Sequence, residues 1–268
     1  MKRNFSPDQS LLWKISEPNS LRTSYIYGTI HLRDKRVYFL LDKIKDMIRN
    51  CDIFMAEYDL DDNGQSEIMH ELQLPDNKHV RNYISSKKYE KIRKQLAKAF
   101  DIDLERFGCF KPMAIENMIT DSIFQSDFNF PMDFELWNYA KEIDKITAGA
   151  ESTASQINIM KNLSVKKQIN SLLKISENTS GYRKKLNKIV SLYENQQLKL
   201  LYKNSLKSLG RLKRILVYDR NIKITESIIN RNKENSVFVA VGAGHLPGKY
   251  GIIRLLKKKG YIVKPVKI

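Results

Sequence analysis

Two stretches of the chain share one pattern: Ser24-Tyr-Ile-Tyr-Gly28-Thr-Ile-His31-Leu32, and Val237-Phe-Val-Ala-Val-Gly242-Ala-Gly-His245-Leu246 near the other end. Each is a short apolar run that ends in Gly-x-x-His-Leu and is followed by a helical pattern. Runs rich in β-branched and aromatic residues and stopped by glycine are typical of buried strands. We therefore expect two imidazoles just beyond the ends of two strands, where open α/β sheets collect ligands and chemistry.

The glycine three residues before each histidine has a possible conformational purpose. Glycine tolerates positive φ, so Gly28 and Gly242 are expected to let each strand turn sharply at its end. Such a turn would aim the following side chains, including His31 and His245, into the crevice.

The segments around the repeat predict the fold class. The first sixty residues indicate strand, strand, helix and strand, with the helix over Asp34 to Asn50. The chain ends in a strand, Gly-x-x-His, a helix and a strand. We therefore expect an α/β (α+β) fold, in which a central mixed sheet is built from two repeated strand–GxxH–helix–strand units with a large helical insertion.

The insertion determines the expected domain organisation. Two long helices are predicted over Thr153 to Glu177 and Arg183 to Ser208, and a short strand over Lys145 to Gly149. No linker rich in Pro, Gly or Ser separates the parts. We expect a single domain over 1–268, with an N-terminal α/β half (1–62), a helical insertion (63–235) and a C-terminal α/β half (236–268).

Composition narrows the class of protein. Of the 268 residues, 42% are hydrophobic and 10% aromatic, as in globular rather than disordered chains. No stretch is long and apolar enough to span a membrane, and the positive amino terminus lacks the apolar core of a signal peptide. We therefore expect a cytoplasmic protein. Cys51 and Cys109 stand in no disulfide, metal or redox spacing.

The net charge of +17 is the strongest compositional deviation, and it is densest from Lys161 to Arg214. This stretch could bind nucleic acid, anionic lipid or an acidic partner. It could equally be the solvated face of long helices in a chain with many lysines. Aromatic stacking platforms are sparse there, which favours the solvated face. Nucleic acid is accordingly not the expected partner, although the charge leaves it open.

Two histidines that converge need an anionic group between them to hold a divalent cation. Glu57 is the best candidate, because it lies near the carboxyl end of the strand predicted over 52–58, and an ionisable residue in an apolar run is either partnered or functional. Two His and one carboxylate with open positions suit metal-assisted hydrolysis. Alternatively, Glu57 pairs with a lysine and the histidines are structural. His70 and His79 lie in polar sequence and receive no role.

The glycine cluster from Gly242 to Lys249 could also suggest a phosphate-binding loop. A Walker A element does not fit Ala243 and Tyr250, and a dinucleotide fingerprint would need glycine where Pro247 stands. We therefore assign this loop to His245 rather than to a nucleotide.

Taken together, these residues match the pattern of a known family. The chain resembles the TraB/GumN family, which is related to the Tiki-type metalloproteases, over essentially its whole length. The matching stretches are Leu12-Trp13-Lys14-Ile15, Tyr27-Gly28-Thr29-Ile30-His31-Leu32, Cys51-Asp52 leading to Glu57, Phe110-Lys111-Pro112, Gly149-Ala-Glu151, Asp219-Arg220-Asn221 and Val239-Ala-Val-Gly242-Ala-Gly-His245-Leu-Pro-Gly248.

The resemblance implies a divalent-metal-dependent hydrolase, with a peptidase as the expected type. Mn²⁺ or Co²⁺ is the metal it suggests, with Zn²⁺ as an alternative, and the metal ligands would be His31, Glu57 and His245. Glu57, Glu151 and Arg220 would be catalytic: Glu151 as a ligand or general base, and Arg220 to stabilise an oxyanion or orient a carboxylate. From the residues alone, Glu151 is a helix-start carboxylate and Arg220 a solvated helix residue.

The expected partner is a peptide or small-molecule substrate. The alternative function is a non-catalytic protein in which the same histidines bind or sequester a peptide or haem. Many relatives carry a signal sequence or membrane anchor, and this chain shows neither pattern.

Overall fold

The computed structural model describes residues 10–18, 20–61, 64–124 and 127–267. It contains two compact units. The first holds the described residues of Met1–Asp61, Phe128–Ser152 and Ile189–Ile268, and the second those of Asp62–Asp127 and Thr153–Lys188.

The first unit contains a six-stranded mixed sheet with the strand order β4-β3-β5-β2-β1-β6. β4, β3, β5 and β2 are neighbours that all run parallel, whereas β1 is antiparallel to both β2 and β6. The strands are β1 (Leu12–Ser16), β2 (Ser24–Thr29), β3 (Ile53–Tyr58), β4 (Ile146–Glu151), β5 (Val237–Gly242) and β6 (Ile262–Pro265). The predicted α/β class with a central mixed sheet is confirmed.

The described residues form twelve α-helices. They are α1 (Leu41–Arg49), α2 (Gln65–Glu71), α3 (Ser86–Phe100), α4 (Leu104–Phe107), α5 (Pro112–Ile123), α6 (Met132–Glu142), α7 (Thr153–Asn162), α8 (Val165–Glu177), α9 (Thr179–Glu194), α10 (Leu198–Leu209), α11 (Asp219–Asn232) and α12 (Ile252–Lys258). None of these helices has the length and apolar character needed to cross a bilayer.

The two copies of the repeated motif lie side by side. β2 and β5 are adjacent parallel strands, with Gly28 opposite Val241 and Thr29 opposite Gly242. β2 leads through α1 to β3, and β5 leads through α12 to β6. β5 is buried along Val237 to Val241, as the continuous apolar run predicts for a strand covered on both faces.

The expected positive φ at the motif glycines is wrong, because Gly210, Gly248 and Gly260 are the described glycines with positive φ. The requirement at Gly28 and Gly242 is space. A Cβ on Gly28 would lie 3.0 Å from the Ala243 Cα, and one on Gly242 would lie 3.0 Å from the Glu57 Oε1. Glycine therefore lets the second motif pack against the first strand and lets a carboxylate approach the chain.

Three predicted helices begin or end differently. The predicted helix over Asp34 to Asn50 is a 3₁₀ turn followed by α1, because the Asp34 side chain accepts a hydrogen bond from the Arg36 N–H and caps the short turn. Thr153 to Glu177 is divided into α7 and α8, since Ser164 caps α8. Arg183 to Ser208 is divided into α9 and α10 near Gln196, which has a φ of 54°.

The strand predicted over Lys145 to Gly149 is confirmed as β4, which pairs in parallel with β3. The sheet therefore takes an edge strand from the middle of the sequence. The single-domain organisation with an insertion over 63–235 stays a prediction.

The second unit has its own hydrophobic core. Buried side chains of α3, α4, α5 and α8 meet there, among them Ile92, Leu96, Leu104, Ile115 and Leu172. Tyr89 and Phe100 also belong to this core.

A pair of buried tyrosines lies beneath the first motif. The Tyr193 hydroxyl donates to the Gly28 carbonyl over 2.7 Å, and the Tyr27 and Tyr193 hydroxyl oxygens lie 2.8 Å apart. Because the Tyr193 proton is committed to the carbonyl, Tyr27 donates to Tyr193. Tyr27 also contacts the Met132 sulfur.

We expect Tyr193→Phe to be more destabilising than Tyr27→Phe, although both lie in the same pair. Tyr193→Phe leaves the Tyr27 hydroxyl and the Gly28 carbonyl without this partner, at a cost of about 2 kcal/mol. Tyr27→Phe removes a single donor and should cost about 1 kcal/mol. Urea unfolding of both variants measures the difference, and equal or reversed costs would contradict this hydrogen-bond direction.

Candidate active site

Four neighbouring strands bring polar side chains to one edge of the sheet. β4, β3, β5 and β2 are parallel, so their carboxyl ends lie together. Glu151 ends β4, and Glu57 lies one residue before the end of β3. His245 follows β5, and His31 follows β2. All four of these side chains were predicted from the sequence, and all come from one end of the sheet.

Arg220 of α11 joins the two glutamates. Its Nη2 donates to the Glu57 Oε2 over 2.6 Å, and its Nε donates to the Glu151 Oε2 over 2.7 Å. The guanidinium side chain is 12% exposed, and that of Glu151 is 1% exposed. Arg220 is therefore not a solvated helix residue. It is the cation between two carboxylates of adjacent strands.

The two carboxyl groups have opposite environments. Burial raises the pKa of Glu57, but its electrostatic interactions with His245 and Arg220 and the hydrogen bond from the Gly242 N–H outweigh burial and hold that pKa at about 2. Burial raises the pKa of Glu151, and Arg220 offsets this only in part. Glu57 is thus the fixed anion of the site, and Glu151 is the carboxyl group that takes up a proton more easily.

Asn221 fixes the protonation pattern of His245. Its buried amide donates from Nδ2 to the carbonyls of Tyr250 over 2.7 Å and His245 over 3.2 Å. The amide oxygen must then face the imidazole, and it lies 2.6 Å from the His245 Nδ1. Since a carboxamide oxygen can only accept, Nδ1 carries the proton. In the neutral ring, Nε2 therefore presents a lone pair.

That lone pair faces the carboxylate. The His245 Nε2 lies 3.7 Å from the Glu57 Oε1 and 3.4 Å from the Arg220 Nη1. Burial and the Arg220 charge lower the pKa of His245, whereas Glu57 raises it, and the net direction is downward. At neutral pH both atoms are therefore hydrogen-bond acceptors, and their donors are the Arg220 Nη1 for Nε2 and the Gly242 N–H for Oε1.

His31 is oriented by a different partner. Its Nδ1 lies 2.9 Å and 3.0 Å from the two oxygens of Asp133, on α6. A carboxylate only accepts, so the His31 Nδ1 carries the proton, and in the neutral ring the lone pair is on Nε2. The His31 side chain is 59% exposed. Both motif histidines are thus held through Nδ1.

The structure does not by itself form a metal centre. Within the described residues, no group of three or more His, Cys, Asp or Glu side chains is arranged to hold an ion. Glu57, Glu151, Arg220 and His245 form one hydrogen-bonded and charged cluster, whereas the ion-pair partner described for His31 is Asp133. The metal-binding role of His31, Glu57 and His245 stays a prediction.

Sequence reasoning missed the two residues that orient the histidines. Asn221 could have been predicted, because it follows Arg220 in one of the stretches that carry the family resemblance. Asp133 had no local signal: it lies 102 residues from His31 in sequence, at the start of a helix where an acidic residue is common for other reasons.

We expect Glu57→Gln to remove a pH-dependent part of the stability. The pKa of Glu57 falls from 4.5 to about 2 on folding, so its contribution is fully present above pH 4.5 and disappears as the pH falls through 2. By linkage this amounts to about 3 kcal/mol at pH 6, of which about 2 kcal/mol is lost by pH 3.

Denaturant unfolding from pH 6 to pH 3 tests this prediction. The stability difference between wild type and Glu57→Gln should shrink as the pH falls. A difference that stays constant over this range would show that Glu57 is not held by Arg220 and the Gly242 N–H.

We expect His245 to be neutral at pH 7 with the proton on Nδ1. Long-range ¹H–¹⁵N correlation of the imidazole distinguishes this tautomer. Asn221→Ala should mix the tautomers and lower stability by about 2 kcal/mol, because two buried carbonyls lose their donor. Asn230→Ala, on the exposed face of the same helix, is the matched control. A proton on Nε2, or an imidazolium at pH 7, would contradict the assignment.

Comparison with known proteins identifies the family of this chain. The family described as the TraB/PrgY/gumN family matches residues 11–265. The zebrafish (Danio rerio) protein named Metalloprotease TIKI2 is 21% identical, over 95% of this chain and 60% of its own length. The Metalloprotease TIKI homolog of Amphimedon queenslandica is 34% identical over 56 residues, which is 20% of this chain and 11% of that protein.

The chain therefore spans less than two thirds of the length of these relatives. No solved structure matches it. The matched region includes β1 to β6 and every residue of the site. The chain belongs to the TraB/PrgY/gumN family.

Proposed function

We propose that the protein hydrolyses peptide bonds with the help of a divalent cation, Mn²⁺ or Co²⁺ by family resemblance and Zn²⁺ as the alternative. His31, Glu57 and His245 would hold it. One observation carries the proposal: the His245 Nε2 and the Glu57 Oε1, neither with a proton, face each other over 3.7 Å. Each accepts from a protein donor, Nε2 from the Arg220 Nη1 and Oε1 from the Gly242 N–H, and two acceptors at this separation are a pair of ligand atoms that one cation can bridge.

The donor set fits a divalent cation. Bonds from such an ion to histidine nitrogen and carboxylate oxygen are about 2.0–2.2 Å, so two donors 3.7 Å apart can share one ion. Ligating histidines typically donate their other ring N–H to an oxygen acceptor, which sets the tautomer. Asn221 and Asp133 accept such bonds from His245 and His31. The names of the two relatives as metalloproteases support the same reading.

When bound, the cation would supply a Lewis acid that polarises a carbonyl and acidifies water. The protein residues around it have separable tasks. Glu57 stays ionised throughout the neutral range, since its pKa is about 2. Arg220 is held at Nε by Glu151 and at Nη2 by Glu57, and its Nη1 points toward the His245 Nε2. That nitrogen can donate to an oxyanion that forms beside the imidazole.

The environment of Glu151 supports a positioning role better than direct proton transfer. Its carboxyl group is almost completely buried and binds the Arg220 Nε. Glu151→Gln would keep the size of the side chain but weaken the orientation of the guanidinium. We therefore expect a lower kcat with little change in KM, because an oxyanion contact acts mainly in the transition state.

The first experiment measures cation binding without any substrate. Isothermal titration with Mn²⁺, Co²⁺ and Zn²⁺ should give one site in the wild type and none in His31→Ala or His245→Ala. His70→Ala is the matched control, since His70 lies on α2 and is exposed. It should bind as the wild type does.

The second experiment measures hydrolysis. A library of unstructured peptides, analysed by mass spectrometry, should be cleaved by the metal-loaded wild type and spared after chelation. Glu151→Gln should lose about 10²-fold in kcat, the size typical of one oxyanion donor. Absence of a cation site in the wild type would make the proposal wrong, and cation binding without cleavage would favour a protein that sequesters peptides.

A further inference from the structure

A cavity lies at the same edge of the sheet, beyond the predicted catalytic residues. It has a volume of about 530 Å³ and belongs entirely to the first unit. Its floor is apolar, and its lining includes Trp13, Leu246 and Ile253, which are at most 9% exposed. A cavity of this size holds a few side chains rather than a single ion. We call it the basic pocket.

The rim of the basic pocket is cationic. Lys249, Arg254 and Lys257 line it and are exposed. Of the described residues that line the pocket, none is acidic. These three cations also form no ion pair with any carboxylate in the part of the chain that the structure describes. The complementary ligand has a carboxylate beside an apolar group.

The position of the pocket connects it with the site. Leu246 follows His245 directly, and Trp13 of β1 lies opposite Pro265 of β6. β1 starts, and β6 ends, at the edge where β2 and β5 end, because Leu12 pairs with Tyr27 in antiparallel fashion. The basic pocket therefore continues the row of strand ends, on the β1 and β6 side.

The spacing of the strands gives the distance from His245 to the basic pocket. β5 and β1 are separated by β2 alone, so they lie about 10 Å apart at about 4.8 Å per strand. An extended peptide advances about 3.4 Å per residue. A chain that crosses the strand ends from His245 would reach the pocket after about three residues.

We propose that the basic pocket binds an acidic side chain and an adjacent apolar side chain of a peptide substrate, about three residues from the cleaved bond. This inference rests on the proposed peptidase function for its reference to cleavage. The binding itself does not depend on that function. The carboxylate lies among Lys249, Arg254 and Lys257, and the apolar side chain packs on Trp13.

The two tryptophans give a readout that needs no catalysis. Trp13 lines the pocket and its indole N–H donates to the Ser10 carbonyl, whereas Trp137 is buried beside Phe54 elsewhere in the same unit. In ¹H–¹⁵N spectra without metal, an acetylated and amidated peptide with a central Glu-Leu-Glu should shift the Trp13 indole signal in a saturable way. The Trp137 signal is the internal control and should not move.

Two comparisons test the charge. A peptide with Gln-Leu-Gln in the same place should bind about tenfold more weakly, as should the Glu-Leu-Glu peptide to the double variant Arg254→Gln/Lys257→Gln. Lys258→Gln is the matched control, because Lys258 is exposed on the same helix but does not line the pocket. Equal affinity for both peptides, or no loss in the double variant, would overturn the proposal.

Cleavage assays separate this proposal from the proposed function. If Glu-Leu-Glu binds at Trp13 but no peptide is hydrolysed, the peptidase proposal fails and the basic pocket stands. If peptides are cleaved with no preference for an acidic residue about three positions away, and Trp13 does not respond, the basic pocket fails and the peptidase proposal stands.

Discussion

The arrangement of the site depends on one guanidinium group. β3 and β4 are adjacent parallel strands, so Glu57 and Glu151 reach the same edge about one strand spacing apart. Two carboxylates so close would repel each other if both were ionised. Arg220 removes this conflict by binding both. Because each of its two bonded nitrogens has a separate carboxylate, the plane of the guanidinium is fixed as well as its charge. A lysine could neutralise the pair but could not set such an orientation.

The two carboxyl groups that share this cation have different surroundings and therefore different pKa values. Glu57 also accepts the Gly242 N–H over 2.7 Å and lies near His245, whereas Glu151 is enclosed more completely. The pKa of Glu57 is consequently lowered and that of Glu151 raised. Pairs of carboxyl groups whose environments push their pKa values apart are a common basis for distinct roles in catalysis. Burial raises the pKa of both groups, and the asymmetry comes from the interactions with His245 and the Gly242 N–H that Glu57 has in addition to Arg220.

The sequence was informative about the sheet and about the residues on its strands, and much less about their partners. The repeated apolar run before Gly-x-x-His placed β2 and β5 correctly, because a continuous apolar strand must be covered on both faces and two such strands pair readily. Glu57 was found from its place near the carboxyl end of an apolar strand. The strand predicted over Lys145 to Gly149 extends to Glu151, which the residues alone had placed at a helix start. Arg220, Asn221 and Asp133 lie on helices. Their contacts with the strand residues depend on how α11 and α6 pack, which local periodicity does not encode. The helix breaks at Ser164 and Gln196 were not predicted because a single side chain or a single backbone angle determines each of them.

The two motif histidines show why a sequence repeat does not imply two equal sites. Both rings donate from Nδ1, but His245 donates to a buried carboxamide and His31 to a carboxylate on an exposed surface. A carboxamide orients an imidazole without adding charge, so His245 can remain neutral beside Glu57 and Arg220. A carboxylate adds charge as well as orientation. The repeat thus supplies two imidazole rings at one edge of the sheet. The ring of His245, held by α11, is buried, and the ring of His31, held by α6, is exposed. If both rings hold the proposed cation, the exposed His31 can shift with a substrate while the buried His245 keeps its place.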